Sequence, residues 1–364
     1  MPQFDETLAD HAVYRWLKLA VATQSSDIHA IVGYKPSLRT HGRLIEMDQE
    51  EELTAESLLT ILAPIMTETQ KREFDREKNW DYAIEVKIDG RAHRFRINLF
   101  LSMGGIGGCI RVIPDTIPDF QWSNFPKDLA KRIAALPNGL VLFSGVTGSG
   151  KSTSLAQIIH MMNQAGNLRI LTIEDPVEYK YPRVRGSLIS QREVGDDVDT
   201  FADGLRFGLR QDPDVILVGE VRDVVTARMA LSAAETGHLV LSTLHTRDAK
   251  GAISRYADMF PQQVQSEVRT QLATCLRSVV CQRLLASSIP GEKQELALEI
   301  MWNTPAIGSA IRSGKLESID NYILTGRSDG MISMDESIKQ LYLNGLIDRE
   351  TAEAYVTDRT YVQR

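Results

Sequence analysis

The segment Gly145-Val146-Thr147-Gly148-Ser149-Gly150-Lys151-Ser152, followed by Thr153, sets glycines, a lysine and a hydroxyl at G-x-x-x-x-G-K-[ST] spacing. That chemistry suits a polyphosphate. Glycines let backbone N–H groups come close to an anion, where any side chain would block the approach. Lys151 can reach the β- and γ-phosphates, and Ser152 can hold Mg²⁺. The surroundings agree with this reading. An apolar run, Leu140 to Phe143, leads into the loop as a buried strand would, and Leu155, Ile158, Ile159 and Met162 recur at helical spacing beyond it. A strand, a loop and a helix in that order aim a helix N-terminus at the phosphates.

Further along, Val215 to Val218 form an apolar run that ends in Gly219-Glu220. A nucleoside triphosphatase needs an acid there to orient water and support Mg²⁺; the alternative is a glutamate capping the next helix. Thr172-Ile173-Glu174-Asp175-Pro176 offers a second acidic tip. Two carboxylates near one dication suit Mg²⁺, although a loop carboxylate before a proline is the simpler alternative. His238 and His245 flank another apolar run, and His245 is placed to sense a γ-phosphate. Arg206 and Arg210 share a helical face by spacing, while Arg94, Arg96 and Arg111 bracket a glycine-rich stretch. An arginine brought to developing phosphoryl charge accelerates its transfer; surface ion pairing is the alternative for each.

These groups need a scaffold. Strands are expected at 140–143, 168–173, 215–218 and 239–244, with helices between them at roughly 153–165, 200–210 and 224–235. Alternation of this kind implies a parallel sheet covered on both faces, with ligands at the carboxyl ends of its strands. Lys151, Glu174 with Asp175, Glu220 and His245 each follow one of those strands. From Gln262 onward the pattern reads as mostly helical, with a strand at Leu296 to Met301. Upstream, residues 1–113 read as an α+β unit. Its helices are expected at His11 to Thr23 and Ala55 to Asp75, and its strands at Asp81 to Ile88 and His93 to Phe100, joined by an Asp89-Gly90 hairpin turn. The acidic cluster from Glu46 to Glu56 reads as a solvated loop, and prolines mark 114–124 as a linker.

At 364 residues the chain is long enough for two domains, and 43% apolar with 24% charged residues is a soluble globular mix. A net charge of -7 argues against nucleic acid as the main partner and hence against a nucleic-acid motor. Three cysteines without C-x-x-C spacing point away from a disulfide framework or structural zinc and fit a reducing compartment. The acidic MPQFDETLAD start is not a signal peptide. The uncharged candidate Ile97 to Ile110 is short and interrupted by four glycines, so no direct membrane insertion is expected.

Taken together, the motifs resemble the secretion-type ATPases, specifically the type IV pilus retraction (PilT-like) ATPases, over nearly the whole chain. Besides the phosphate loop, the resemblance rests on Thr172 to Glu178 as an Asp box and Asp212 to Asp223 as an atypical Walker B segment. Thr236 to Thr246 resembles the His box, and Gln191-Arg192-Glu193-Val194-Gly195 also fits. In the first unit Ser26 to His29 and Arg94 to Asn98 match the family's N-terminal domain. The resemblance implies an α/β protein: a PAS-like α+β N-terminal domain, then a RecA-like P-loop NTPase domain (125–364) with a helical C-terminal region. It implies a homohexameric ring in the cytoplasm at the inner-membrane face, with ATP and Mg²⁺ bound between the two domains. Glu220 is then the catalytic carboxylate, with Glu174 a second acid near Mg²⁺ and water. Arg96 and Arg111 would meet phosphates on domain closure. Such motors act on an inner-membrane platform protein and withdraw pilin subunits. Ala306 to Lys315 resembles the retraction signature A-I-R-N-L-I-R-E-G-K, with Gly308, Ala310 and Ser313 departing from it, and Val146 replaces a usual proline. The compact length and the lack of a tetracysteine insert favour the retraction branch over assembly-type relatives. An accessory paralogue or a type II or type IV secretion ATPase is the alternative.

Overall fold

The computed structural model describes residues 3–4, 10–102, 105–114 and 116–362, and the chain divides between Thr116 and Ile117 into two units. Most of the acidic N-terminal decapeptide, Gly104 of the glycine-rich stretch and Asp115 of the expected linker lie outside the described residues.

In the first unit the order is β1 (Gln3–Phe4), α1 (Ala12–Ala22), β2 (Asp27–Ile31), β3 (Ser37–Thr40), β4 (Arg43–Glu46), α2 (Ala55–Leu62), α3 (Glu68–Glu77), β5 (Asn79–Ile88), β6 (Arg91–Ser102) and β7 (Gly105–Ile113). The sheet runs β1-β5-β6-β7-β2-β3-β4 and is antiparallel except for the β1–β5 pair. Strand alternation builds its core. Phe95, Ile97 and Leu99 of β6 pack inward with Trp16 and Leu17 of α1 and Leu58 and Leu62 of α2, while Arg96 and Asn98 point to the opposite face. Asp89 and Gly90 both take positive φ (50° and 77°), as the hairpin turn between β5 and β6 requires.

The single helix expected from Ala55 to Asp75 is two. Pro64 offers no N–H, a 3₁₀ turn covers Ala63–Ile65, and Thr67 starts α3 with a capping box to Gln70. Strands β2, β3, β4 and β7 have no counterpart in the sequence reading. In β7 the glycines hide the strand: a Cβ at Gly107 would lie 2.4 Å from the Phe100 ring of its cross-strand partner, so glycine makes room for the aromatic.

The second unit contains α4 (Phe120–Ser123), α5 (Lys127–Ala134), β8 (Gly139–Ser144), α6 (Lys151–Ala165), β9 (Arg169–Glu174), β10 (Leu188–Glu193), α7 (Phe201–Gly208), β11 (Val215–Val218), α8 (Val224–Glu235), β12 (Leu239–Leu244), α9 (Ala249–Asp258), α10 (Gln265–Cys275), β13 (Leu276–Leu285), β14 (Glu295–Trp302), α11 (Pro305–Ser313), α12 (Ile319–Thr325), α13 (Met334–Leu343) and α14 (Arg349–Tyr355). Its sheet runs β10-β9-β11-β12-β8-β13-β14, parallel throughout except for antiparallel β14. Every residue of β8, β11 and β12 is buried, which is why these strands read as unbroken apolar runs.

Three expectations are corrected here. The region after Gln262 carries a ten-residue strand, β13, wedged between β8 and β14, where helix alone was expected before Leu296. Its buried residues run consecutively, so periodicity does not separate it from a buried helix. Helix α7 ends at Gly208, so Arg210 lies beyond it and does not share a helical face with Arg206. The last part of the expected linker belongs to the second unit: Gln157 Nε2 of α6 donates to the carbonyls of Pro118 and Asp119, both at 2.8 Å.

Candidate functional site

The phosphate loop joins β8 to α6. Gly145 is obligatory: its φ is 144°, and a Cβ there would stand 2.4 Å from the Gln282 carbonyl oxygen of β13. Gly150, at φ 85°, turns the chain into α6, whose first residues are Lys151 and Ser152. Lys151 is 92% buried, and its Nζ donates to the carbonyls of Gly145 (2.7 Å) and Val146 (3.0 Å) of its own loop. Burial lowers its proton affinity, against the opposing pull of Glu220 and Glu178. A desolvated cation whose hydrogen bonds go to carbonyls is under-compensated, and phosphate oxygens would supply direct charged partners. Ser149 Oγ is buried and has no hydrogen-bond partner among the described residues. Thr147 and Gly148 form the turn between these groups, and the Ser152 side chain is exposed in the first turn of α6.

Glu220 follows β11 and is held from several sides. The Gly219 N–H donates to the Ile173 carbonyl of β9 (2.8 Å), and Thr243 Oγ1 of β12 donates to the Gly219 carbonyl (2.6 Å). One carboxylate oxygen of Glu220 lies 3.3 Å from His245 Nε2, and the other pairs with Arg222. The acid is 12% exposed while His245 and Arg222 are 50% and 61% exposed, so the carboxylate sits beneath two solvent-facing cationic or ionisable groups. Glu220 does not cap the next helix: Asp223 does, accepting from Val225 and Thr226 N–H groups at 2.9 Å. His245 is anchored through its neighbour, because the Thr246 N–H donates to Ser144 Oγ of β8 (2.9 Å). His238 is structural, with Nδ1 3.0 Å from the Ala233 carbonyl at the end of α8.

Glu174 closes β9. Burial pushes its carboxyl up to about 7, opposed by the Thr172 hydroxyl and the Gln191 amide, whose Nε2 is 3.4 Å away, and helped by the nearby charge of Glu178. Asp175, next in the chain, is 3.6 Å from the Arg222 guanidinium that also pairs with Glu220. One arginine therefore spans the tips of β9 and β11. Arg222, Gln191, Tyr179 and Gln282 went unassigned from the sequence. Arg222 was legible as a base two residues past a strand-end acid, whereas Gln282 depends on a strand whose pattern was ambiguous.

The structure thus gathers Lys151, Glu174, Glu220 and His245 at the carboxyl edge of one sheet. Arg96 and Arg111 belong to the first unit, where they are direct partners across β6 and β7. Like charges so placed repel, and each is matched: Arg96 donates to both oxygens of Asp81 (3.0 and 2.7 Å), and Arg111 Nε donates to Asp27 (2.8 Å). Arg94 is buried on the same strand.

The donor set fits Mg²⁺ in one particular way. Among the described residues no three His, Cys, Asp or Glu side chains converge as a cage, whereas an exposed hydroxyl at Ser152 and strand-end carboxylates provide hard oxygen donors. Mg²⁺ is ordinarily held by one or two such protein oxygens together with substrate phosphates.

Known proteins resemble this chain over most of its length. The profile of the family described as "Type II/IV secretion system protein" matches residues 4–342. The chain belongs to that family. Within the type II/IV secretion family it is PilT-like. It is 41% identical over 330 residues to the Type IV pilus retractation ATPase PilT of Pseudomonas aeruginosa, covering 90% of this chain and 93% of that protein. It is 38% identical to a twitching motility protein of Neisseria gonorrhoeae, covering 91% and 87%. A crystal structure of the pilus retraction motor PilT with bound ADP superimposes with a TM-score of 0.81 at 35% identity, over 97% of this chain and 99% of that one. The likeness confirms the expected fold class for both units. No helix among the described residues of this family member is long and apolar enough to cross a membrane.

Proposed function

We propose that this protein is an ATP-hydrolysing motor of pilus retraction. The observation that carries the reading is the strand-end constellation: a buried lysine curled on a phosphate loop beside a shielded acid held between His245 and Arg222. In this reading the backbone N–H groups of residues 145–153 and Lys151 take the β- and γ-phosphates of ATP. Mg²⁺ would be held by Ser152 and, through water, by Glu174, and would supply charge neutralisation for the leaving phosphate. Glu220 orients the attacking water and accepts its proton. His245 and Arg222 hold the two carboxylate oxygens so that one orientation is kept. Arg96 and Arg111 would exchange their aspartate partners for phosphate on domain closure. Homohexamer assembly, action at the cytoplasmic face of the inner membrane and coupling to a platform protein there complete the proposal; the similarity to PilT supports them.

The test is phosphate release by the purified chain with Mg²⁺ and with excess EDTA, alongside its mass in solution with ATP. The expected result is Mg²⁺-dependent release by a ring-sized particle. A monomer that releases no phosphate would contradict the proposal.

A second reading, an accessory paralogue or a secretion-system ATPase, is favoured by one position. Gly308 stands where the retraction signature has an arginine, and a Cβ there would meet the Ala273 carbonyl and Asn303 Oδ1 only at an ordinary 3.4 Å, so packing does not dictate the departure. Restoration of twitching in a strain lacking its retraction motor separates the two: rescue by this chain alone selects the main motor.

A further inference from the structure

Strand β10 is the edge of the second sheet, paired only with β9, and its side chains are half-buried or exposed. It adds little to the core, yet two of its side chains reach back over the tip of β9. Register sets this up. Gln191 lies opposite Thr172 and Glu193 opposite Glu174, so Gln191 and Glu174 project on the same face, two positions apart.

The Gln191 amide is fully engaged. Its Nε2 donates to the Tyr179 carbonyl (2.7 Å) and to Glu174 Oε1 (3.4 Å), while its Oε1 accepts from the Tyr181 N–H (3.0 Å). Two acceptors on one side and a backbone donor on the other fix the amide orientation, because the flipped form would place oxygen against oxygen. Glu193 Oε2 accepts from the Val177 N–H (2.9 Å), which pins the start of the same segment. Tyr179 is buried and bonds Thr153 Oγ1 of α6 at 2.9 Å, one residue beyond Ser152. A continuous line therefore runs from β10, through the segment after β9, to the helix that opens the phosphate loop.

We infer that Gln191 is a positioning residue of Glu174: its amide joins the Thr172 hydroxyl at the carboxylate and also clamps the 175–181 segment, whose Tyr179 grips the phosphate-loop helix. Gln191 touches no reacting atom in this scheme. It holds the second acidic tip at a set place relative to Ser152, the other oxygen donor proposed for Mg²⁺. An amide suits this role better than a carboxylate, because it donates to Glu174 without adding charge. This inference rests on the reading of Glu174 as the second acid of the site.

The test is a kinetic cycle on the full-length protein at saturating Mg²⁺, using Gln191→Ala, Gln191→Glu, Glu174→Gln and the Gln191→Ala/Glu174→Gln double variant. Gln191→Ala is expected to lower kcat by ~10-fold with KM for ATP within ~2-fold, since the phosphate cradle is intact. Gln191→Glu keeps the shape and the bond from Tyr181, so it should fold normally and still lose a similar factor. In the Glu174→Gln background the Gln191→Ala loss should shrink to less than ~2-fold, because residues acting through one group are not additive. A folded Gln191→Glu with unaltered kcat overturns the inference. So does a Gln191→Ala loss that persists in full in the Glu174→Gln background, which leaves the reading of Glu174 standing. Unchanged turnover in Glu174→Gln alone overturns both.

Discussion

The two sheets hold their charged groups in opposite ways. In the second unit the charged and polar groups stand at or just past the ends of parallel strands, where the chain leaves the ladder and its direction changes. Lys151, Glu174, Glu220 and His245 are all of this kind: Lys151 bonds the carbonyls of its own loop, and the chain at Glu174, Gly219 and Thr246 is tied to adjacent strands. In the first unit the charges stand on a strand face, in register, and other side chains hold them. Arg96 and Arg111 face one another and are matched by Asp81 and Asp27. A group fixed by backbone is pre-organised before ligand arrives. A group fixed by an exchangeable ion pair is free to change partners, at the cost of breaking that pair.

Four outcomes would sharpen or break that contrast. The largest effect is expected at Lys151. Lys151→Ala removes the one buried cation of the loop and should weaken ATP binding by ~100-fold or more in equilibrium titration, given two charge-assisted bonds at about 1.5–3 kcal/mol each. ATP affinity within a few-fold of wild type would show that the loop backbone alone carries binding. Next comes Gly145→Ala. The added methyl meets the Gln282 carbonyl at a residue with positive φ, so a loss of several degrees in Tm with impaired nucleotide binding is expected. A neutral result would mean that β13 yields, and that the cradle is less rigid than the backbone argument holds.

A third outcome concerns a carboxylate in mid-strand rather than at a strand end. Glu299 of β14 is buried and accepts from the Ala249 N–H at 2.7 Å. Burial pushes its carboxyl up to about 7, with the charges of Asp248 and Asp320 adding to the shift and the bonds from Ala249 and Met334 opposing it. The folded form therefore holds the proton more tightly than the unfolded form. Both are protonated below the unfolded value near 4.5, stability falls as pH rises from there to about 7, and the loss is complete above it. It amounts to about 3 kcal/mol at most. Measured by thermal melts, the Tm of Glu299→Gln relative to wild type should rise between pH 5 and pH 8. A constant difference would show that Glu299 does not titrate between these values.

The smallest effect is expected on the arginine face. Both members of the Arg96–Asp81 pair are more than a third exposed, so Asp81→Ala should cost ~1 kcal/mol or less in stability and leave turnover near wild type. Arg96→Ala should cost equally little stability but lower kcat. Equal turnover in the two variants would reduce this face to surface ion pairing.

The same contrast explains what the sequence made legible. Strand-end groups follow apolar runs, so β8, β9, β11 and β12 and the acids after them stand out in one dimension. Face groups depend on register, and β7 is disguised by Gly105, Gly107 and Gly108, so the opposition of Arg96 and Arg111 is invisible until the strands are paired. Gln191 stands out only as part of a family motif, and its role and that of Tyr179 are hidden for a related reason. Their bonds join β10 to the segment after β9 and to α6, and no spacing along the chain announces them. Arg222 was visible beside Glu220, but its reach to Asp175 needed the β9–β11 pairing.

The central claim is that Glu220, at the tip of β11, turns bound ATP over. It is tested most directly by measuring ATP binding and phosphate release side by side in wild type and Glu220→Ala. Binding within ~3-fold and turnover lower by ~100-fold or more are expected, because the phosphate cradle is untouched while the water-orienting acid is gone. Undiminished phosphate release by Glu220→Ala would contradict the account.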